Sequence, residues 1–522
     1  MFEGFTTDNY QLTTDLFFMN LFSFLENSAE KYPDKTALIC EEKRITFLQL
    51  KKRSERLASS LLRLGIKKGM KVGILLYNSV EYVEIIFALM KLGAVGVPLN
   101  IRLTREEIAK QTEHADISIL FYEEELKQKA PLDLSSITDF IFIGSGESGK
   151  SISYEFLLNA AESHDISEAV IKEDESFIIY TAGTTASPKG VVLTHSSQMA
   201  NTKNYSAAYN MTRDDIELAP TPLFHCSTLG RIFTYVYNGV TFILCRKFDA
   251  ETAFKIIERE KVTSITQAPT LYHMMVEAFK KTAFDTTSVK RAVTGAAAMR
   301  PEGVKELEGL FPCALLYDLY GATEASPGIS ILCRSDFTKK AGSVGKPMDS
   351  VEIKIDSIDV VGEILCRGPN VMKGYYKDPE TTKAAIRDGW FHTGDMGRID
   401  EDGFLYIEGR KKEIIISGGI NVYPAEIENI IISCPGVQDV SVIGVPDDKW
   451  GEKIVAAIVL TGDEMFSEEA FQKYCKDRLA GFKCPREVFI VKVIPRNAAQ
   501  KVLKNELQVL YLREVKGSEC GI

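Results

Sequence analysis

Basic runs are missing from this chain. Its 522 residues hold 62 Lys+Arg against 72 Asp+Glu, a formal net charge of −10, and no Lys/Arg cluster breaks that balance. An acidic chain without a basic patch is a poor match for a nucleic-acid backbone, so no nucleic-acid partner is expected. Ten cysteines are present, but no two form a CxxC pair. With only six histidines and no Cys/His cluster, the ligand set of a structural zinc site is absent. Scattered thiols fit a reduced, cytoplasmic protein. No stretch reaches ~20 uninterrupted apolar residues, so no transmembrane segment is expected. Segment 16–25 (LFFMNLFSFL) follows Asp8 and Asp15 and lacks a basic flank. It does not read as a signal peptide; an amphipathic helix packed on the body is expected. Repeats and low-complexity tracts are also absent.

What is present is core-forming material. The chain is 45% hydrophobic and 26% charged, ample for a large core and too long for one ordinary domain. Short β-branched runs alternate with helical periods. Strands are expected at 72–76, 96–99, 241–244, 264–266 and 291–294, and helices at 79–92, at 250–260 and after Pro269. Such alternation predicts an α/β protein of mostly parallel sheets with helical crossovers. Beyond residue 410 the elements are fewer: a hairpin-like piece, a helix from Pro424, strands at 440–445 and 454–460, a helix at 467–479 and a strand at 488–493. The chain is therefore divided into a large body, 1–410, and a small α+β domain, 411–522.

The most informative segment is Tyr180-Thr-Ala-Gly-Thr-Thr-Ala-Ser-Pro-Lys189-Gly-Val191, after the strand-like 176–180. Small residues such as Gly183 let backbone N–H groups approach an anion. Thr181, Thr184 and Thr185 add hydroxyl donors, and Lys189 adds a point charge. The Walker pattern GxxxxGK[ST] is not what stands here. Read alone, the string is a Thr/Gly-rich turn that either cradles phosphates or binds nothing.

The whole string resembles the signature of the adenylate-forming superfamily, which comprises acyl-CoA and aryl-CoA synthetases, peptide-synthetase adenylation domains and firefly-type luciferases; the acyl-CoA synthetases are most similar. Ala182 stands where Ser is commoner and Ala186 where Gly is commoner; a lost hydroxyl is one phosphate contact fewer, about 1 kcal/mol. Further strings match in order. In Asp318-Leu-Tyr-Gly-Ala-Thr-Glu324 the resemblance gives Tyr320 the adenine face, Asp318 its amino group, Thr323 the α-phosphate and Glu324 a Mg²⁺ ion, with Gly321 in the same nucleotide-binding turn. Asp395, in Trp390-Phe-His-Thr-Gly-Asp395, takes the ribose hydroxyls, shared by Arg410, while Lys412 is the hinge. Gly418 and Gly419 leave room for a pantetheine arm. Lys501, in Pro495-Arg-Asn-Ala-Ala-Gln-Lys501, is the mobile lysine, with Gln500 replacing the usual Gly. The resemblance covers roughly residues 20–515.

It implies two steps. The substrate carboxylate attacks the α-phosphorus of ATP, assisted by Lys501, Thr323, Mg²⁺ on Glu324 and the 181–189 loop. Coenzyme A then attacks the acyl-adenylate after the small domain rotates about Lys412 and withdraws Lys501. Trp450 and Phe482 sit where some aryl-CoA ligases place aromatics against the CoA adenine, flanked by Lys483 and Arg486 for its phosphates; lid-core packing is the other reading of Trp450. The acyl pocket is expected near His225, Arg231, the 267–274 segment and Gly295. Met274, Pro269 and Leu271 suggest an apolar acid, fatty or aromatic. Arg231 either pairs with a second carboxylate of the substrate or belongs to a structural ion pair. Gly295, Ala296 and Ala297 either leave room for a chain or form the family's adenine wall. A stand-alone enzyme loading a carrier protein, and a non-catalytic nucleotide-binding relative, remain as alternatives. Whether the protein is a homodimer stays open.

Overall fold

The computed structural model describes residues 20–145, 149–160, 169–181, 189–295, 301–333, 336, 339–340, 342–358, 360–418, 420–447, 449–462, 466–496 and 502–516. Local chemistry sets the elements. Ser79 caps helix Val80–Leu92 by accepting from Tyr82 N, and Gly93 ends it in the left-handed conformation at φ +66°. This helix is buried on nearly every face, as an all-round apolar sequence requires. Its two acids are compensated: Lys43 pairs with Glu81, and Arg53 and Tyr154 hold Glu84. Asp249 caps Ala250–Glu260 through Thr252 N, and Pro269 opens Pro269–Phe279 at the position where its missing N–H costs nothing.

The chain forms two compact units. One runs to Ile353 and includes Cys366–Phe391; the other comprises Lys354–Leu365 and the chain from His392 onward. The first unit holds two large sheets. A nine-stranded sheet runs in order 346–347, 328–333, 315–321, 291–295, 264–267, 216–219, 241–244, 36–40 and 43–46. It is parallel from 315–321 to 36–40 and antiparallel at its ends. An eight-stranded sheet runs 374–375, 189–194, 175–181, 95–98, 71–75, 117–123, 139–143 and 152–153, parallel apart from its first three strands. Helices such as Ala250–Glu260 bury Phe254 and Ile257 against the larger sheet. The expected α/β class is the observed one.

The second unit has its own core. Val437–Asp447 and Gly451–Leu460 pair over their length, with Pro424–Ile431 and Glu468–Lys476 packed on them. Residues 16–19 lie outside the described residues; the apolar N-terminal segment becomes helical only from Phe22, in Phe22–Lys31, with Phe22, Phe24 and Leu25 buried. Among the described residues no helix is long and apolar enough to cross a membrane.

Candidate active site

Strands Glu175–Thr181 and Lys189–Thr194 are antiparallel, and their register sets Thr181 opposite Lys189. The ends of the phosphate-loop string are thus fixed side by side. Gly183, Thr184 and Thr185 lie between them, outside the described residues, as do Ala182 and Ala186.

Lys189 leads to the next motif through a residue that the sequence reading did not single out. Its Nζ lies 5.1 Å from the centroid of the Tyr375 ring, and the Tyr375 hydroxyl donates to Glu324 Oε1 at 2.9 Å. Tyr375 is placed by the short strand Gly374–Tyr375, which pairs with Val191 and Val192 just after Lys189. Burial, and then Glu324 beside it, hold this phenol well above its ordinary pKa, so it remains a donor. Only a Gly-Tyr-Tyr string marked the position, and nothing local says that it returns to residue 324.

Glu324 sits on the turn Thr323–Ala325, after strand Leu315–Gly321. Met372 N donates to Glu324 O at 2.7 Å, and Asn370 Nδ2 holds the carbonyls of Ala325 and Gly328. Gly321 makes the turn possible, since a Cβ there would lie 1.6 Å from Pro327 O. Asp318 and Tyr320, two apart on the strand, point to one face. Both are buried, Tyr320 at 8% exposure. Burial pushes the Asp318 carboxyl up to about 7, against the opposing hydrogen bond from Leu319 N. Gly295 lies opposite Leu319 on strand Arg291–Gly295; Ala296 and Ala297 follow outside the described residues.

His225 precedes helix Cys226–Asn238, which Gly239 ends at φ +67°. Its ring centroid is 4.4 Å from that of Phe224, and burial lowers its pKa to about 4, so it is neutral at neutral pH. Cys226 Sγ approaches Thr323 O at 4.0 Å, which brings this helix to the turn Thr323–Ala325. Arg231, one turn further on, is buried, whereas Met274 is half-exposed on Pro269–Phe279.

In the second unit, Asp395 and Arg410 are cross-strand partners, with Arg410 Nε 2.6 Å from Asp395 Oδ1. Lys412 is exposed on the turn Lys411–Glu413. Three residues expected at the CoA end converge. Gly418 N donates to Trp450 O at 2.8 Å, and a Cβ on Gly418 would meet Trp450 Cε3 at 3.1 Å. The Arg486 guanidinium lies over the Trp450 ring at 3.8 Å. Phe482 is 38% exposed, and Lys483 Nζ is 5.6 Å from its ring centroid. Lys483 is also held by both oxygens of Glu426, at 2.6 and 2.7 Å. Gly419 and Lys501 lie outside the described residues. Asp356, Glu363 and His392 come within metal-ligating reach of one another, but Lys411 and Gly394 N already occupy Glu363.

Lys189, Tyr375 and Glu324 stand together in the first unit and Asp395 with Arg410 in the second, and comparison with known proteins identifies the class of the chain. The family model of the AMP-binding enzymes matches residues 25–376, and that of the AMP-binding enzyme C-terminal domain matches residues 426–501. A 2-succinylbenzoate–CoA ligase of Bacillus cereus (strain Q1) is 34% identical over 484 residues, 92% of this chain and 96% of that one. The o-succinylbenzoate CoA synthetase of Bacillus subtilis, solved with its acyl-adenylate intermediate, is 32% identical with a TM-score of 0.83, covering 93% of this chain and 97% of that one. A fatty acyl CoA synthetase of Mycobacterium tuberculosis is 32% identical with a TM-score of 0.75, covering 94% and 98%. The chain belongs to the AMP-binding enzyme family. Within it, the protein is an AMP-forming acid–thiol ligase: an ATP-dependent enzyme that makes an acyl-CoA through an acyl-adenylate.

Proposed function

We propose that the acid activated is a ring-bearing carboxylic acid, and that the residues above divide the two half-reactions between them. The observation that carries the assignment of roles is the Lys189–Tyr375–Glu324 chain, which ties the phosphate loop to the carboxylate turn. The ring preference is supported by the aromatic acids in the names of the Bacillus relatives. The Mycobacterium neighbour makes a fatty acid the competing substrate to test.

In the first half-reaction the substrate carboxylate attacks the α-phosphorus in line and pyrophosphate leaves. The nucleophile is already ionised, so no general base is required. Charge gathers on phosphate oxygens, and catalysis is positioning with electrostatic stabilisation. Lys189 and the loop hydroxyls neutralise the phosphates, Thr323 donates to the α-phosphate, and Asp318 and Tyr320 bind adenine. Asp395 and Arg410 bind the ribose. Mg²⁺, when bound, supplies charge neutralisation at the phosphates. Glu324 fits it: its carboxylate is a hard oxygen donor, and Tyr375 is the hydrogen-bond partner that orients it. Lys501 assists the attack, by resemblance of its motif. Neutral His225 lines the carboxylate end, where a charged imidazole would trap the nucleophile as an ion pair.

In the second half-reaction the thiol of CoA attacks the adenylate carbonyl and AMP leaves. The Gly418–Trp450–Arg486 group supports free CoA as acceptor, offering a narrow passage, an aromatic face and a cation. Lys412 serves as the hinge. A cytoplasmic setting suits the nine described cysteines, all free thiols. The test is a carboxylate panel of benzoates, cinnamates, short to long fatty acids and dicarboxylates, scored by pyrophosphate exchange and by thioester formation. Faster turnover of fatty acids than of every ring-bearing acid would overturn the substrate class; exchange without any CoA thioester would overturn the acceptor.

A further inference from the structure

The helix Cys226–Asn238 carries buried polar chemistry that neither half-reaction uses. Arg231 is 4% exposed, and its Nε donates to Ser227 O at 2.9 Å. Among the described residues, neither terminal nitrogen of its guanidinium has a hydrogen bond or ion pair. Burial opposes its charge, while Tyr235, Glu217, Tyr209 and Tyr205 around it favour the charged form, and the net shift is upward. Glu217, on strand Ile216–Ala219, is fully buried. Its Oε1 accepts from Thr266 Oγ1 at 2.8 Å, but its Oε2 has no partner. The Tyr235 hydroxyl faces Glu217 and Thr266 closely enough to interact with both, yet beyond a well-formed hydrogen bond, and the Tyr209 hydroxyl is unpartnered. Gln267 Oε1 and both amide atoms of Gln198 are in the same condition.

Buried polar atoms are nearly always paired, because leaving one unpaired costs about 1–3 kcal/mol. Several such atoms near one buried cation are the pattern of a recess whose partners arrive from outside the chain. The recess adjoins the turn Thr323–Ala325. Cys226 touches Thr323 O, and Tyr205 is within electrostatic reach of both Cys226 and Arg231. Arg231 lies five residues beyond Cys226, about 7.5 Å along the helix axis at 1.5 Å per residue. That is the scale of one aromatic ring with a para substituent. Gln198 packs on the same helix: a Cβ on Gly230 would lie 3.0 Å from its Oε1.

We propose that this recess is the far end of the acyl pocket, and that the acid it takes is an aromatic acid with a para hydroxyl that accepts from Arg231 and donates to Glu217. The inference rests on the ligase reading and narrows its substrate. A hydrocarbon end would leave the terminal nitrogens of Arg231 and Glu217 Oε2 without a hydrogen-bond partner. A second carboxylate would meet Arg231 but would also face Glu217, setting two anions beside one cation in a desolvated site. A hydroxyl satisfies both partners and adds no charge.

The experiment compares kcat/KM for pyrophosphate exchange with para-hydroxybenzoate, para-hydroxycinnamate, their unsubstituted parents, terephthalate and hexanoate. In the wild type the better hydroxylated acid exceeds its parent by about 100-fold or more, as expected of a site built around a hydroxyl. In Arg231→Met and in Glu217→Gln that ratio falls at least about tenfold, mainly through KM for the hydroxylated acid. Melting curves identify any variant that fails to fold, and the wild-type ratio stands without the variants. Preference for the parent acids or hexanoate overturns the proposal, as does preference for terephthalate. A wild-type preference that both folded variants retain overturns the assignment to Arg231 and Glu217, the recess then holding ordered water only. Exchange with no carboxylate at all is a different failure, since it removes the ligase reading itself.

Discussion

The Tyr375 hydroxyl donates to Glu324 Oε1 at 2.9 Å, from a strand that begins fifty residues downstream of that glutamate. The bond occupies one carboxylate oxygen, and under the proposed roles the other is the one that holds Mg²⁺. Hydrogen bonds to charged groups contribute about 1.5–3 kcal/mol. Tyr375→Phe should slow pyrophosphate exchange roughly tenfold and raise the Mg²⁺ concentration needed for half-maximal rate. A Mg²⁺ titration of exchange checks it; a slower rate at unchanged Mg²⁺ dependence would remove the orienting role.

The two proposed lysine functions separate the half-reactions. Lys501→Ala should abolish adenylate formation while leaving thioester formation from a preformed adenylate largely intact, and Lys412→Pro should do the reverse. Single-turnover assays of each step decide this. Equal loss of both steps in Lys501→Ala would contradict its assignment.

Trp450 and Arg486 stack at 3.8 Å, so each presents the other. Trp450→Ala should raise KM for CoA about five- to tenfold, in line with a desolvated cation–π contact of about 1–2 kcal/mol. Pyrophosphate exchange measured without CoA should hold at the wild-type rate. A fall in exchange would instead give Trp450 a packing role.

Asp318 has a pH signature. Its folded-state pKa, pushed up to about 7 by burial, lies above the ordinary value of 3.8. The folded chain therefore holds this proton where the unfolded chain has lost it. The stability it contributes is complete below pH ~4 and is lost as pH rises through ~7. Asp318→Asn should accordingly gain stability relative to wild type as pH goes from 5 to 8, read by urea denaturation at both values. A difference independent of pH would show that Asp318 is ionised throughout in the folded state.

Much of this architecture was written locally. Ser79 and Gly93 bound a helix whose cap and terminator are the structure's own, and Thr241–Leu244 is the strand that its β-branched run predicts. The adenylate motifs were legible because each is contiguous. What escaped is non-contiguous. Tyr375 reaches Glu324, and Lys483 is held by Glu426, through contacts across about fifty residues that no local pattern encodes. Glu217 was not singled out from the sequence; it is buried on strand Ile216–Ala219, within electrostatic reach of Arg231. Met274, expected in the acyl pocket, is half-exposed on its helix.

Gly418 carries a practical consequence. It stands at φ +60°, where a side chain is strained, and its missing Cβ faces the Trp450 ring. In a saturation library scored twice, once for adenylate and once for thioester output, position 418 should be depleted in the second selection and nearly neutral in the first. Two such fitness profiles would draw the border between the two chemistries along the chain, residue by residue, without any bound ligand.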